Sequence, residues 1–242
     1  MAIYRSLTEA IGNTPLVRLN RIAPAGSEVY VKIEGKNPGG SIKDRAVLSM
    51  INDAEARGLL RQGGTIIEPT SGNTGIAIAM ISAARGYRCV LVMPDTMSKE
   101  RQAYMKAYGA ELVLTPGKLG MKGTLDKTEE LLKATPGSIS LGQFDNPANI
   151  LAHRSTTGRE ILADLPDVDY RCRTNQYSNR EKGCHFTGRR LHVFPTFKYG
   201  SRWLFRLPPD VEYPGRKRIH LRYRFIQRYH AASCPLDDCH GC

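Results

Sequence analysis

Two short segments of the 242-residue sequence combine residue types that can do chemistry. The first, Asn37-Pro38-Gly39-Gly40-Ser41-Ile42-Lys43-Asp44-Arg45, places a lysine directly after a Gly-Gly turn. If that turn opens a helix, Lys43 lies in its first turn, where the positive ends of the backbone dipoles disfavour an ammonium group. An amine made neutral in this way is the nucleophile that Schiff-base chemistry requires. The same residue also fits an ordinary solvated helix lysine. The second segment, Pro69-Thr70-Ser71-Gly72-Asn73-Thr74-Gly75, sets hydroxyls, an amide and two glycines ahead of an apolar run. Free N–H groups at the start of a helix there would bind a carboxylate or a phosphate; the alternative is a plain N-cap with a tight turn. A third group, Cys234, Cys239, His240 and Cys242, contains metal-ligand types. Its spacing is not a usual zinc pattern, no second pair lies nearby, and Cys172 and Cys184 are isolated, so no metal site is assigned.

The elements that must position the first two segments follow from periodicity. Val29–Glu34 is a short β-rich run, and Thr65–Glu68, Cys89–Met93 and Glu111–Thr115 are further strands, the first two stopped by Pro69 and Pro94. Ser41 opens a helix in which Ile42, Ala46, Met50 and Ala54 recur every fourth residue, with Asp44 completing an S-x-x-D capping box and Gly58 ending it. Ile76–Ala84 is apolar nearly all round, as in a helix buried against a sheet, and helices are also expected over 98–108 and about 121–134. Continuous β-branched strands, each followed by a helix, predict an α/β fold with a parallel sheet covered on both faces. Ligands in such sheets bind beyond the carboxyl ends of strands, where both turns fall.

Composition divides the chain. Residues 1–169 carry 20 Lys+Arg against 18 Asp+Glu, whereas residues 170–242 carry 15 against 5, so nearly all of the net charge of +12 belongs to the tail. The tail also holds five of the six cysteines, five of the six histidines and the only Trp. A whole-chain charge is therefore no guide to what the first part binds. No apolar run approaches the roughly 18 residues of a membrane span. The first residues lack the apolar region of a signal peptide, and the cytoplasm is the expected compartment with no membrane partner.

Ile11-Gly-Asn-Thr-Pro-Leu-Val-Arg-Leu19, the Asn37–Arg45 turn, Glu68-Pro-Thr-Ser-Gly-Asn-Thr-Gly75 and Gln143-Phe-Asp-Asn-Pro-Ala-Asn149 with His153 follow one another at the spacing of the cysteine synthases. Over about residues 1–169 the sequence resembles O-acetylserine sulfhydrylase, a fold type II pyridoxal-phosphate enzyme. The resemblance implies pyridoxal 5'-phosphate as cofactor, with Lys43 as the catalytic lysine linked to it and Asn73 hydrogen-bonded to its phenolic oxygen. Thr70, Ser71, Gly72, Asn73 and Thr74 would grip the substrate α-carboxylate, with Gln143 assisting. It further implies a small α/β domain over 42–150, a larger domain that includes 1–41 and 151–169, and a homodimer. The implied reaction is a β-replacement: acetate leaves O-acetylserine and sulfide takes its place, giving cysteine. His153 is assigned a structural role, and Cys89 a place in the core.

After residue 169 the resemblance stops where the family would enter a strand and a Gly-rich turn that cradles the cofactor phosphate. Residues 170–242 contain Gly183, Gly188, Gly200, Gly215 and Gly241, none adjacent to another. A change that falls inside an expected strand reads as a shifted reading frame or a fused segment more than as an evolved boundary. Without the later strands, those contributed by residues 1–35 are expected to keep an open edge. The rival reading is a binding or regulatory protein with a basic module. In it, Ile219, Leu221, Tyr223 and Phe225 alternate with Arg218, His220, Arg222 and Arg224, a stripe that could touch nucleic acid. No recognised nucleic-acid module is spelled out, and such a partner is not favoured.

Overall fold

The computed structural model describes residues 3–21 and 28–166, together with the backbone of four short strands in the tail. The stripe at 218–225 and the tail cysteines lie outside the described residues.

Strands β3 (Thr65–Pro69), β4 (Arg88–Pro94) and β5 (Glu111–Thr115) form a parallel sheet in that order. Its register sets Ile66 beside Cys89 and Leu91 beside Leu112. Beyond β3, Ile139 makes a parallel bridge to Ile66, so the chain segment after it arrives alongside the end of β3. Alternation along the strands divides the core in two, because successive side chains point to opposite faces. Ile66, Cys89, Leu91 and Met93 pack with Val47, Met50, Ile78 and Met105 in the larger cluster. Ile67, Val90 and Val92 form the other, against Val113, Leu131 and Leu132.

Helix α1 (Lys43–Ala56) and helix α2 (Asn73–Arg85) pack against one another, and α3 (Lys99–Ala107) packs on α2. Helix α4 (Gly120–Ala134) covers β3 and β4, and supplies the leucines of the second cluster. Ala77, Ile78, Ala79, Met80 and Ile81 are all fully buried, as the uniformly apolar pattern of this segment requires. Gly75 permits the close packing of α2 and α3: a Cβ there would lie 2.8 Å from Met105 Cε and 3.1 Å from Thr70 Cγ2. Two short helices follow, α5 (Pro147–Ala152), capped by the Asn146 side chain, and α6 (Gly158–Asp164), joined by a π-helical turn over His153–Thr157. His153 is buried there with Nδ1 3.1 Å from Thr157 Oγ1, a structural contact.

A second sheet contains β1 (Leu16–Arg18), β2 (Glu28–Lys32), β7 (Leu191–Pro195) and β6 (Tyr170–Arg171). Strands β1 and β2 are antiparallel, and β7 runs parallel to β2 with Glu28 opposite Leu191. The edge of β2 is therefore occupied, contrary to the open edge expected from the sequence. Leu191-His-Val-Phe-Pro195 has the β-branched and aromatic content that suits an extended partner. Strands β8 (Phe197–Tyr199) and β9 (Arg202–Leu204) form a separate antiparallel pair.

The expected capping box at the start of α1 does not form. Ser41 Oγ accepts from the Lys43 N–H at 3.1 Å, but Asp44 reaches past Ser41 to the N–H of Gly39 at 2.6 Å. Gly40, at φ 78°, turns the chain so that Gly39 comes within reach of that carboxylate. A Cβ at Gly39 would lie 2.6 Å from Asp44 Oδ1, so a side chain there would force the Asp44 carboxylate to shift.

Candidate active site

Lys43 is the first residue of α1, half-buried, and its helix is locked from behind by buried charge. The Arg45 guanidinium meets Glu34 through Nε–Oε2 at 2.8 Å and Nη2–Oε1 at 3.0 Å, and Glu160 through Nη1–Oε1 at 2.5 Å and Nη2–Oε2 at 2.7 Å. Lys32 Nζ joins the group at 2.8 Å from Glu160 Oε2 and donates to the Thr14 carbonyl at 2.7 Å. Asn37 Nδ2 donates to the carbonyls of Glu34 and Ser41, while its Oδ1 accepts from Gly12 N–H. Each charge thus has several partners, the condition under which burial of ions is tolerated. Burial works against the charge on Arg45, but hydrogen bonds to Glu160 and Glu34 more than offset it and hold the group above its ordinary range. The network ties β2, the turn before α1, α1 itself and α6 to one another. Asn37 and Arg45 fall in the lysine segment, and Lys32 and Glu34 in the first β-rich run, but their spacing does not show that they pair; charged residues at positions flanked by buried apolar ones are the available signal.

Asp44 is fully buried, and burial pushes its carboxyl up to about 7. Its Oδ1 has no hydrogen-bond partner among the described residues.

The second chemical segment leaves the end of β3. Thr70 is buried, and its N–H continues the sheet pairing by donating to the Val92 carbonyl at 3.0 Å. Ser71, Gly72 and Asn73 are half-buried, with Gly72 at the N-cap of α2. No side chain caps this helix end, and a Cβ added at Gly72 would meet nothing within 4 Å. That leaves room beside the first residues of α2, where free N–H groups of a helix start can accept an anion; the Gly75 N–H is already bonded to the Gly72 carbonyl at 3.0 Å. Thr74 is buried, and its Oγ1 donates to Gln143 Oε1 at 2.8 Å. The structure therefore brings the loop over 70–74 together with Gln143, which is 69 residues away from Thr74 in the chain. Lys43 lies on α1, the helix that packs against α2.

Glu68, the last residue of the expected strand Thr65–Glu68 and the first of a motif, carries much of this geometry. Its buried carboxylate accepts from Ser140 Oγ at 2.7 Å, Leu141 N–H at 2.9 Å, Gly142 N–H at 3.4 Å and Gln143 N–H at 3.5 Å. Burial raises its pKa, opposed by those four donors. Cys89 is a core residue whose thiol burial pushes up to about 12, which makes it a poor nucleophile. Among the described residues no group of three or more His, Cys, Asp or Glu could hold a metal, and no helix is long and apolar enough to cross a membrane.

The lysine that opens α1 and the start of α2 beyond β3, which no side chain caps, are the two places where this α/β fold offers an amine and room for an anion. Residues 7–172 match the family model described as pyridoxal-phosphate dependent enzyme, and the chain belongs to that family. Members of the family use pyridoxal 5'-phosphate. Among its relatives, a cysteine synthase of Flavobacterium sp. is 54% identical over 168 residues, covering 69% of this chain and 55% of that protein. An O-ureido-L-serine synthase of Streptomyces lavendulae is 56% identical over 165 residues, covering 68% and 51%. The solved structure of a hydrogen sulfide-producing enzyme from Fusobacterium nucleatum is similar at a TM-score of 0.68 and 50% identity, over 71% of this chain and 56% of that one. The chain spans about half the length of the curated relatives it matches.

Proposed function

We propose that the chain carries the lysine and amino-acid sites of a cysteine synthase-like β-replacement, converting O-acetylserine and sulfide to cysteine and acetate. The observation that carries this reading is the uncapped N-terminus of α2 beside the Thr74–Gln143 contact, a ready site for an amino-acid carboxylate. Relatives named cysteine synthase, more than half identical over this region, support the same chemistry. The boundaries proposed are 42–150 for the small domain and 1–41 with 151–169 for part of the larger one.

In this reading the backbone N–H groups after Gly72, with the Thr70, Ser71 and Thr74 side chains, bind the substrate carboxylate, and Gln143 fixes its orientation. Asn73 would donate to the cofactor's phenolic oxygen, and Lys43 would be its covalent attachment point. The Lys43 amine, when free, would take the α-proton at Nζ. When bound, pyridoxal phosphate supplies an electron sink for the charge left at the α-carbon. The Cβ–O bond breaks, acetate departs with its electron pair, hydrosulfide forms the Cβ–S bond, and the Lys43 ammonium returns its proton to the α-carbon.

The test is attachment at Lys43. Purified protein incubated with the cofactor should show a visible imine band that borohydride removes while fixing the cofactor to a peptide containing Lys43. Lys43→Ala should lack the band. Labelling at another lysine, with the alanine variant still coloured, overturns the assignment.

A further inference from the structure

Glu68 stands at the end of β3, two residues before Thr70, and no role in the reaction described above falls to it. Its surroundings come from two directions. The bridge from Ile139 to β3, through Ile67 N–H to Ile139 O at 2.9 Å and Ile139 N–H to Thr65 O at 3.0 Å, lays the next residues across the strand end. Gly142, at φ 62°, then turns the chain so that three consecutive N–H groups, of Leu141, Gly142 and Gln143, converge on the Glu68 carboxylate with the Ser140 hydroxyl. The carbonyls of the same loop are held from the other side: Asn146 Nδ2 donates to Leu141 O and Asn149 Nδ2 to Gln143 O, each at 2.8 Å. The backbone of 141–143 is thus gripped on both its donors and its acceptors. What it presents at the other end of the grip is the Gln143 side chain, in contact with Thr74.

We propose that Glu68 is the positioning residue of the amino-acid site: its carboxylate clamps residues 140–143 so that the Gln143 amide is held at the start of α2, where a substrate carboxylate is to bind. This rests on the reading of residues 70–74 and Gln143 as the carboxylate site. The geometry favours a clamp over a merely buried charge because, among the described residues, every hydrogen bond to the Glu68 carboxylate comes from this one loop. Three donors fall on Oε2, at 2.7, 2.9 and 3.4 Å, and one on Oε1 at 3.5 Å; an amide or a protonated acid, each bringing a donor of its own, meets such a cluster of donors less well. Hydrogen bonds to a charged acceptor are the strong ones, so a single side chain can set a loop of four residues. Strand β3 thereby fixes both walls of the site, Thr70 by chain continuity and Gln143 through Glu68.

The experiment uses the full chain with saturating pyridoxal phosphate, and compares Glu68→Gln, Ser140→Ala, Gln143→Ala and the Glu68→Gln/Gln143→Ala pair. Glutamine keeps the side-chain volume, removes the charge and turns one acceptor into a donor. Ser140→Ala removes one ligand of the clamp and leaves the carboxylate in place, so it reports even if Glu68→Gln fails to fold. Hydrogen exchange at the 141–143 amides should accelerate about tenfold or more in Glu68→Gln and by a smaller factor in Ser140→Ala, with the amides of β5 and α4 unchanged. The dissociation constant for O-acetylserine, measured by calorimetry, should rise about tenfold in Glu68→Gln, with cofactor affinity unaltered. The double variant should bind no more weakly than Gln143→Ala alone, because the clamp acts through that side chain. Unchanged exchange at 141–143 in both Glu68→Gln and Ser140→Ala overturns the clamp. Weakened binding in Gln143→Ala with unaltered binding in Glu68→Gln overturns the positioning role alone. No binding by the unsubstituted protein, or an unaltered constant in Gln143→Ala, overturns the carboxylate site on which the role rests.

Discussion

Arg45 and Glu34 form a two-pronged ion pair in which both side chains are out of contact with solvent, at 1% and 0% exposure. Arg45 lies on the first turn of the helix that Lys43 opens, and Glu34 in the turn after β2, so the pair fixes the lysine-bearing helix to the other sheet. Removing one partner strands the other. Arg45→Ala should destabilise the protein by about 3–5 kcal/mol, since Glu34 would remain buried without compensation. The guanidinium geometry matters as well as the charge, and Arg45→Lys should recover less than half of that loss, because an ammonium cannot engage two carboxylates in parallel. Denaturant unfolding measures both. A loss below about 1 kcal/mol for Arg45→Ala, the range of an exposed pair, would refute the cohesive role given to the network.

Opposite pH dependences are built into the two ends of this region. Burial raises Asp44 from 3.8 to about 7, so the folded protein holds its proton more tightly than the unfolded chain does. Stability from this group is complete below about pH 4 and is lost as pH rises towards 7. Burial alone would raise Glu160 too, but hydrogen bonds from Arg45 and Lys32 outweigh it and bring the group down to about 2. Its contribution is present above pH 4.5 and is lost as pH falls towards 2. Asp44→Asn should therefore flatten the decline between pH 4 and 7, where one linked proton gives a slope of up to about 1.4 kcal/mol per unit. Glu160→Gln should instead flatten the acid limb. Unfolding free energies at half-unit pH steps decide it, and an unaltered slope in Asp44→Asn would mean that the buried carboxyl is not what titrates.

Much of the fold can be read from local pattern. Strands β4 and β5 and helices α2 to α4 lie within a few residues of where periodicity puts them, because each buries a whole face and the apolar spacing reports that face directly. The two Gly-rich turns were legible as turns ahead of helices, while the same residue types suit either an anion site or a plain N-cap. The Arg45–Glu34–Glu160 network was not legible. Its members are 11 and 115 residues apart, and a charged residue in sequence looks the same whether it is solvated or paired in the core. Asp44 shows the same limit at short range: Ser41 and Asp44 have capping-box spacing, but the turn at Gly39–Gly40 offers the carboxylate a nearer N–H. Glu68 carried a usable signal, an acid at the end of the apolar strand Thr65-Ile-Ile-Glu-Pro69, though nothing in the sequence named the loop that satisfies it.

The remaining prediction sets the lysine against the cofactor's phosphate. A phosphate monoester carries nearly two negative charges near neutrality, and such a group is held where several N–H donors converge. In the proposed reading the two Gly-rich turns between 1 and 169 serve the lysine and the amino-acid carboxylate, and residues 170–242 hold no adjacent glycines with which to build a third. Lys43 alone forms a reversible imine; without the phosphate anchored, the ring has no fixed orientation at the site and the effective molarity of the reacting groups falls. Since β7 occupies the edge of β2, the expected deficit is in cofactor retention and turnover more than in the pairing of the second sheet. The chain as written should therefore bind pyridoxal phosphate weakly and form little cysteine from O-acetylserine and sulfide, even with excess cofactor. The comparison is with a chimaera in which residues 170–242 are replaced by the corresponding region of a cysteine synthase relative. The chimaera should retain the cofactor through gel filtration and turn over at least about a hundredfold faster, the scale of a lost positioning contact. Equal turnover in the two proteins would show that the present tail supplies a phosphate site of its own.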